Sequence, residues 1–130
     1  MAAPNIVNVA TITAKTTALT PSVTTAVVLL RNPAGSNMVI KVNQILAANT
    51  TGSNAAATVS YYTNGAVAQG SAPSGGTAFP LISGAVIPTT ASLIVLDKSV
   101  SLYLEEGTSI AVTSSTANAI AYTVSYEELS

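Results

Sequence analysis

The chain has 130 residues, with four Lys or Arg and five Asp or Glu side chains and a net charge of −1. It contains no Cys and no His, which excludes thiol and imidazole nucleophiles, disulfides, and Cys or His metal ligands. The near-neutral charge argues against a nucleic-acid partner, because phosphate binding needs several Lys or Arg side chains. The length fits one domain with its own core.

Short β-strands are predicted along the whole chain, because apolar and polar residues alternate and no helical period is present. The first predicted strand is 5–13, where β-branched or small side chains lie on both faces. In the last one, 119–127, the side chains of Ile120, Tyr122, Val124 and Tyr126 share a face. The remaining predicted strands are separated by turn-forming residues: 23–31, 38–48, 57–63, 92–97, 100–104 and 108–113.

The middle of the chain has the strongest turn signals. Asn64-Gly65 favours a turn with positive φ angles after the fourth strand. The Gly/Ser/Pro-rich segment 64–78 predicts a long loop, and Pro80 and Gly84 reduce 79–87 to an edge strand or a bulged segment. The whole pattern predicts an all-β fold: a single antiparallel β-sandwich or jelly-roll-like domain of about eight strands.

The predicted domain comprises residues 8–130 and follows an extended N-terminal arm, residues 1–7. The N-terminus has no basic region followed by a long apolar stretch, so no secretion signal is predicted. The longest apolar run, 26–30, is far shorter than the roughly 20 residues of a membrane helix. We therefore expect the protein to remain in the cytoplasm where it is made, with no membrane partner.

Two pairs of carboxylates are the strongest catalytic candidates, namely Glu105-Glu106 and Glu127-Glu128. Neighbouring strand residues point to opposite faces, so neither pair forms a dyad by itself. A glycan hydrolase that uses Glu105 or Glu127 is an alternative, but no nucleophile or base accompanies these residues. A calcium site built from Asp97, Glu105 or Glu106 with loop carbonyls would lack the loop pattern of known sites. We predict no enzyme activity, no metal and no cofactor.

The surface is unusual because nine charged side chains serve a domain of 130 residues. An average soluble protein has charges at about a quarter of its positions. Short Ser, Thr, Ala and Asn side chains must therefore form most of the surface. Such a surface is desolvated easily and loses little side-chain entropy on contact, which favours a protein that works inside an assembly.

Several segments of the chain resemble one family. They are 1–9 (MAAPNIVNV), 11–15 (TITAK), 41–49 (KVNQILAAN), 96–99 (LDKS), 102–110 (LYLEEGTSI) and 124–128 (VSYEE). Together they are similar to the small virion structural proteins of tailed phages from marine and cyanobacterial hosts. The segment 63–79 departs from the family pattern and looks like an insertion.

The resemblance implies a non-enzymatic building block of a phage particle that is assembled in the host cytoplasm. We expect a capsid decoration or cement protein that binds the assembled head. Its partner would be the major capsid protein or another virion protein, and the chain would form a homo-oligomer, for example a trimer. A tail, neck or fibre module that contacts the host through 70–76 and a Tyr is the alternative. A cellular surface-layer or fibre subunit is a more distant one.

Two segments are the candidate contacts with such a partner. An extended N-terminal arm can add a strand to the sheet edge of a neighbour, where backbone hydrogen bonds supply the affinity. The C-terminal segment is the second candidate. The predicted interface residues are Ala3, Pro4, Asn5, Ile6 and Val7 in the arm, and Tyr126, Glu127, Glu128 and Leu129 at the C-terminus.

Overall fold

A computed structural model describes residues 9–64 and 66–130. Within them the chain forms nine β-strands, and a short 3-10 helix, Lys98–Val100, separates the sixth strand from the seventh. The strands are β1 (Ile12–Leu19), β2 (Val27–Arg31), β3 (Val39–Asn49), β4 (Ala55–Tyr62), β5 (Ala78–Ile87), β6 (Ser92–Leu96), β7 (Leu102–Leu104), β8 (Ser109–Ser114) and β9 (Ile120–Leu129). The predicted all-β class is confirmed.

The strands form two antiparallel sheets. The five-stranded sheet has the order β1-β9-β3-β6, with β7 also paired to β3, and the four-stranded sheet has the order β2-β8-β4-β5. If β6 and β7 are counted as one interrupted strand, eight strand positions remain, four in each sheet. Every connection between these eight positions except β4–β5 then crosses from one sheet to the other, in the order of a jelly roll.

The core lies between the two sheets and consists of inward-facing aliphatic side chains from both. Along β3 and β9 buried and partly exposed residues alternate, as expected for strands with one face on a core. The fully buried members include Leu29, Ile40, Val42, Ile45, Val59, Leu104, Ile110, Val112, Ile120, Tyr122 and Val124. Tyr122 and Val124 lie on the predicted inner face of the last strand.

The first strand lies further along the chain than predicted. The sequence favoured 5–13 because Ile and Val are concentrated there, but β1 runs from Ile12 to Leu19. This strand is rich in Thr and Ala and mostly exposed, so its local pattern is weak. Pairing with β9 along its whole length stabilises it instead. The part of the predicted strand before Val9 lies outside the described residues.

The connection between β4 and β5 spans 63–77, and its two ends lie side by side. Thr63 and Thr77 exchange hydrogen bonds, and Ala78 pairs with Tyr62 where β5 begins. The partner strand of β4 therefore does not follow a tight turn at Asn64. The prediction that 79–87 is an edge strand or bulged is confirmed, because β5 lies at a sheet edge and its pairing with β4 shifts register twice.

Two asparagines are buried where strands end, although the sequence marks them as turn residues. Asn32 follows β2; its Nδ2 donates to the carbonyls of Met38 at 2.9 Å and Leu104 at 2.8 Å, and its Oδ1 accepts from Ser36. Asn49 ends β3, and its Nδ2 donates to the carbonyls of Ser53 and Ile87. Each amide thus donates to carbonyls at or near the ends of other strands and joins these chain segments.

Tyr122 is fully buried, and its hydroxyl donates to the carbonyl of Thr113 at 2.7 Å. Burial raises the pKa of Tyr122 to about 12, because the charged form is desolvated. A tyrosine in the unfolded chain titrates near pH 10, so the unfolded chain loses this proton first and the folded state loses stability as pH rises from about 10 to 12.

We therefore expect Tyr122→Phe to lower the free energy of unfolding at pH 7 by about 1 kcal/mol, through the lost hydrogen bond. Between pH 10 and 12 the native protein should lose roughly 2 kcal/mol more stability than the variant. Urea unfolding at both ends of this range measures the difference. If the difference in the free energy of unfolding between the two proteins stayed constant from pH 10 to 12, the raised pKa of Tyr122 would be contradicted.

Candidate functional site

The C-terminal candidate residues lie in β9, which is hydrogen-bonded on both sides, to β1 and to β3. Their backbone groups are therefore used inside the sheet. Leu129 is buried. Tyr126 and Glu128 lie on the inner face of the sheet and are partly exposed. Glu127 points to the outer face, opposite Lys41 of β3. Their role as partner contacts stays a prediction.

Lys15 and Glu128 form the one ion pair among the described residues, with Nζ 2.9 Å from Oε1. The hydrogen bond and the charge of Glu128 raise the pKa of Lys15. Burial, followed by the charge of Glu128, raises the pKa of Tyr126 beside this pair. The pair joins β1 to β9, and both side chains are partly exposed, so its contribution to stability is small.

The arm residues Ala3, Pro4, Asn5, Ile6 and Val7 lie outside the described part of the chain. Their role as a contact stays a prediction. The described chain starts at Val9, and the backbone N–H groups of Ala10 and Thr11 both donate to the carbonyl of Ser130. The arm is therefore attached at the end of the five-stranded sheet where β1 and β9 meet.

Asp97 and Glu106, two of the acidic residues weighed as catalytic or calcium-binding, make structural contacts. Asp97 caps the 3-10 helix through the N–H and hydroxyl of Ser99, and the hydroxyl contact lowers its pKa. Glu106 accepts a hydrogen bond from the N–H of Gly35 at 3.0 Å. No group of three or more acidic side chains suited to a metal occurs among residues 9–64 and 66–130.

A shallow depression of about 250 Å³ opens on the outer face of the five-stranded sheet. Asn43 is the extra residue of a bulge in β3, opposite Tyr126 and Ser125. The Oδ1 atom of Asn43 is buried and has no hydrogen-bond partner. The depression is lined by Ala14, Lys15, Thr16, Asn43, Ser125, Tyr126 and Glu127.

A second groove, of about 290 Å³, lies between β1, β2 and the loop 63–77. The side chain of Gln69 in this groove is already engaged: its Nε2 donates to the hydroxyl of Thr17 and to the carbonyl of Leu29. Arg31 donates to the carbonyl of Ala66 at 3.4 Å. These contacts attach the loop to the sandwich, so we assign the groove a structural role.

The sheet edges differ in how they are protected against an added strand. Edge protection matters because an open row of N–H and C=O groups can pair with another chain. On β2, Val28 exchanges hydrogen bonds with Gly70 and Ser71 of the loop. The β5 edge is broken by Pro80 and two register shifts, and the edge made by β6 and β7 is interrupted by the 3-10 helix.

Among residues 9–64 and 66–130, none of these protections covers the free edge of β1. Its eight residues pair with β9 without a register shift and contain neither Pro nor Gly. Thr11 and Ser130 exchange both of their backbone hydrogen bonds, which sets the alternation along the strand. The residues whose N–H and C=O groups point away from β9 are therefore Ile12, Ala14, Thr16 and Ala18.

Eight large apolar side chains of the described residues are exposed by more than a third: Ile12, Val23, Phe79, Leu81, Val86, Ile94, Val100 and Tyr103. Ile94 and Tyr103 face outward on the five-stranded sheet, beside Leu46 and Lys41 of β3. Phe79, Leu81 and Val86 lie on β5 at the far edge of the other sheet.

The loop 63–77 depends on one glycine. A Cβ atom on Gly76 would lie 2.7 Å from the backbone N of Asn64, and its φ is +78°. Gly75 has the same φ, but its Cβ would meet only the side chain of Asn64, at 3.8 Å. The two positions therefore separate the effect of a steric clash from that of backbone strain.

We expect Gly76→Ala to release the loop and expose the edge of β2. Gly75→Ala should lower the free energy of unfolding only through backbone strain at its positive φ, by about 1 kcal/mol. Hydrogen exchange at the Val28 and Gly70 amides, which the loop protects, reports the release. Equal exchange rates in the two variants would contradict a close contact between Gly76 and Asn64.

Comparison with known proteins assigns no family. No protein-family model matches the chain, and no curated protein sequence is significantly similar to it. The described residues contain no helix with the length and hydropathy of a membrane span.

Proposed function

We propose that the chain is a structural protein of a phage virion that binds the outside of the assembled head as a decoration or cement protein. The observation that carries this proposal is the surface: eight exposed large apolar side chains on a domain with nine charges in all. Few ions would have to leave water when such a surface is covered. The resemblance of the sequence to virion structural proteins supports the same class.

In this role the protein contacts groups that lie side by side only in the finished shell. Because it binds the assembled state and not the free capsid subunit, it stabilises the shell by mass action. The partner is the major capsid protein or another virion protein, and several linked copies bind more tightly than one.

The outer face of the five-stranded sheet is the surface we assign to the head. It carries Glu127 of the C-terminal candidate segment, the depression at Asn43, and the exposed side chains of Ile94 and Tyr103. The inner-face residues Tyr122 and Val124 of β9 support this surface from behind, because they pack in the core.

A binding assay with purified protein tests the proposal. The chain is mixed with heads that lack it, or with unassembled capsid protein, and sedimented. We expect saturable binding to heads and none to free subunits, and heads that resist heat better once they are covered. Binding to isolated tails or host cells instead of heads would move the protein to the tail or fibre class.

Two single substitutions test the surface. Ile94 and Val86 are exposed to a similar extent, 59% and 64%, but lie on different sheets. We expect Ile94→Lys to weaken head binding about tenfold, since a desolvated charge at a contact costs more than 1 kcal/mol. Val86→Lys adds the same charge elsewhere and should bind normally. The reverse order would place the contact on the four-stranded sheet.

A further inference from the structure

We propose that the free edge of β1 receives residues 3–7 of a second copy of the chain as an added strand, so that the oligomer forms by exchange of N-terminal arms. The inference goes beyond head binding, because it concerns the chain on its own. It identifies the edge that accepts the arm, which no sequence pattern indicates.

The edge of β1 has the groups that such a strand requires. Ile12, Ala14, Thr16 and Ala18 direct their N–H and C=O groups away from β9, and all four residues are exposed. Residues Thr13, Lys15, Thr17 and Leu19 direct theirs toward β9. An added strand, parallel or antiparallel, would therefore bond the first set and leave the second unchanged.

The way in which the arm is attached favours pairing with β1 of a second copy over pairing with β1 of its own chain. Ala10 and Thr11 both donate to the carbonyl of Ser130, and the carbonyl of Thr11 accepts from the N–H of Ser130. These bonds hold the start of the chain on the β9 side of β1. To reach the free edge of its own β1, the chain would have to reverse direction within 9–11 while keeping these bonds.

The arm also matches the edge in length and charge. Residues 3–7 would span about 17 Å when extended, which fits within the roughly 26 Å of the eight-residue β1. Residues 1–7 contain no charged side chain, and Ile6 and Val7 are β-branched residues that favour strands. The edge includes one charge, Lys15, whose ion pair with Glu128 is already formed on the inner face.

A second β1 strand fits less well as the occupant. An antiparallel pairing that uses all four outward residues on both strands places Lys15 directly opposite Lys15 of the second copy. Like charges in that position are destabilising. The arm pairs without this conflict, and its Pro4 lacks the N–H that a further strand would need. An exchange of arms in one direction generates a closed ring where the rotation between copies closes, and a trimer is one such ring.

Hydrogen exchange by NMR tests the proposal on the purified chain without any particle, so its outcome is separate from that of head binding. We compare the full chain with a variant that lacks residues 1–7. In the variant we expect the amides of Ile12, Ala14, Thr16 and Ala18 to exchange fast. In the full chain, at a concentration where most copies are associated, the same amides should exchange about tenfold more slowly or slower still. The amides of Thr13, Lys15, Thr17 and Leu19 should remain slow in both.

Light scattering after size exclusion gives the mass of the same samples. We expect the full chain to associate with rising concentration and the shortened chain to be a monomer. A synthetic peptide of residues 1–7 should slow exchange at the four outward amides of the shortened chain. Ala14→Pro, which removes an outward N–H, should prevent association, and Ala14→Val, which keeps it, should not.

Three results would overturn the proposal. If the full chain remains a monomer and its four outward amides exchange hydrogen fast, the copies do not exchange their arms. Association that persists without residues 1–7 uses another surface, such as β1 against β1. Slow outward amides in a monomer would mean that the arm pairs with its own β1. If Ala14→Pro does not fold, the peptide experiment with the shortened chain still decides.

Discussion

Asn32→Ala should lower the free energy of unfolding by about 3 kcal/mol, because two strand-end carbonyls lose their donor in a buried site. The Asn32 side chain is fully buried and donates to Met38 and Leu104, which belong to different parts of the five-stranded sheet region. Its backbone also bonds with Gly107 and Thr108. The alanine variant keeps the backbone hydrogen bonds and lacks only the side-chain amide, so the lost free energy of unfolding measures the contribution of that side chain.

Urea unfolding measures this loss, and Asn54→Ala is the matched control. Asn54 is exposed and accepts one long hydrogen bond, 3.3 Å, from the N–H of Thr89. We expect the control to change stability by less than about 1 kcal/mol. Asn32→Asp should be as damaging as alanine at pH 7, since a carboxylate cannot donate to either carbonyl. Similar effects of Asn32→Ala and Asn54→Ala would contradict a structural role for the buried amide.

Deletion of residues 1–7 should weaken head binding about 100-fold or more, because linked copies lose the gain from binding at several points together. The fold should be retained, since the core side chains come from β2 to β9. Particle sedimentation measures the binding, and urea unfolding of the same sample measures the fold. Binding that survives the deletion would remove the arm from the interface.

A matched variant separates the strand-forming character of the arm from its mere presence. Ile6→Val combined with Val7→Ile keeps two β-branched residues and should bind heads normally. Replacing residues 3–7 by Gly and Ser at the same length should behave like the deletion, because such a segment has a high conformational entropy to lose. Normal binding by the Gly/Ser variant would show that the arm acts only as a spacer.

Most of the fold could be predicted from periodicity. Strands with one face on the core, such as β3 and β9, have the alternation that burial imposes, and both were predicted close to their actual bounds. Edge strand β1 was missed over most of its length because its Thr and Ala side chains are largely exposed and leave no pattern. Its stability comes from pairing with β9, which lies more than 100 residues away in sequence.

The candidate surface could be predicted only in part. Nine charges in the sequence indicate a surface that is easily covered, but not which strand is left open. Gly70 and Ser71 protect β2 only because of the path of the loop, and none of the described residues covers the free edge of β1 in this way. Asn32 and Asn49 have the same sequence context as ordinary turn residues, so their burial follows only from the packed sandwich.

Immunogold electron microscopy of intact virions, with an antibody raised against the purified chain, tests the proposed function most directly. We expect gold distributed over the heads, at a density that falls when the protein is stripped from the particle. Gold confined to tails or fibres would contradict a decoration protein and favour the host-contact module. Particles without any label, in a preparation where the antibody recognises the native protein, would contradict a place on the virion surface.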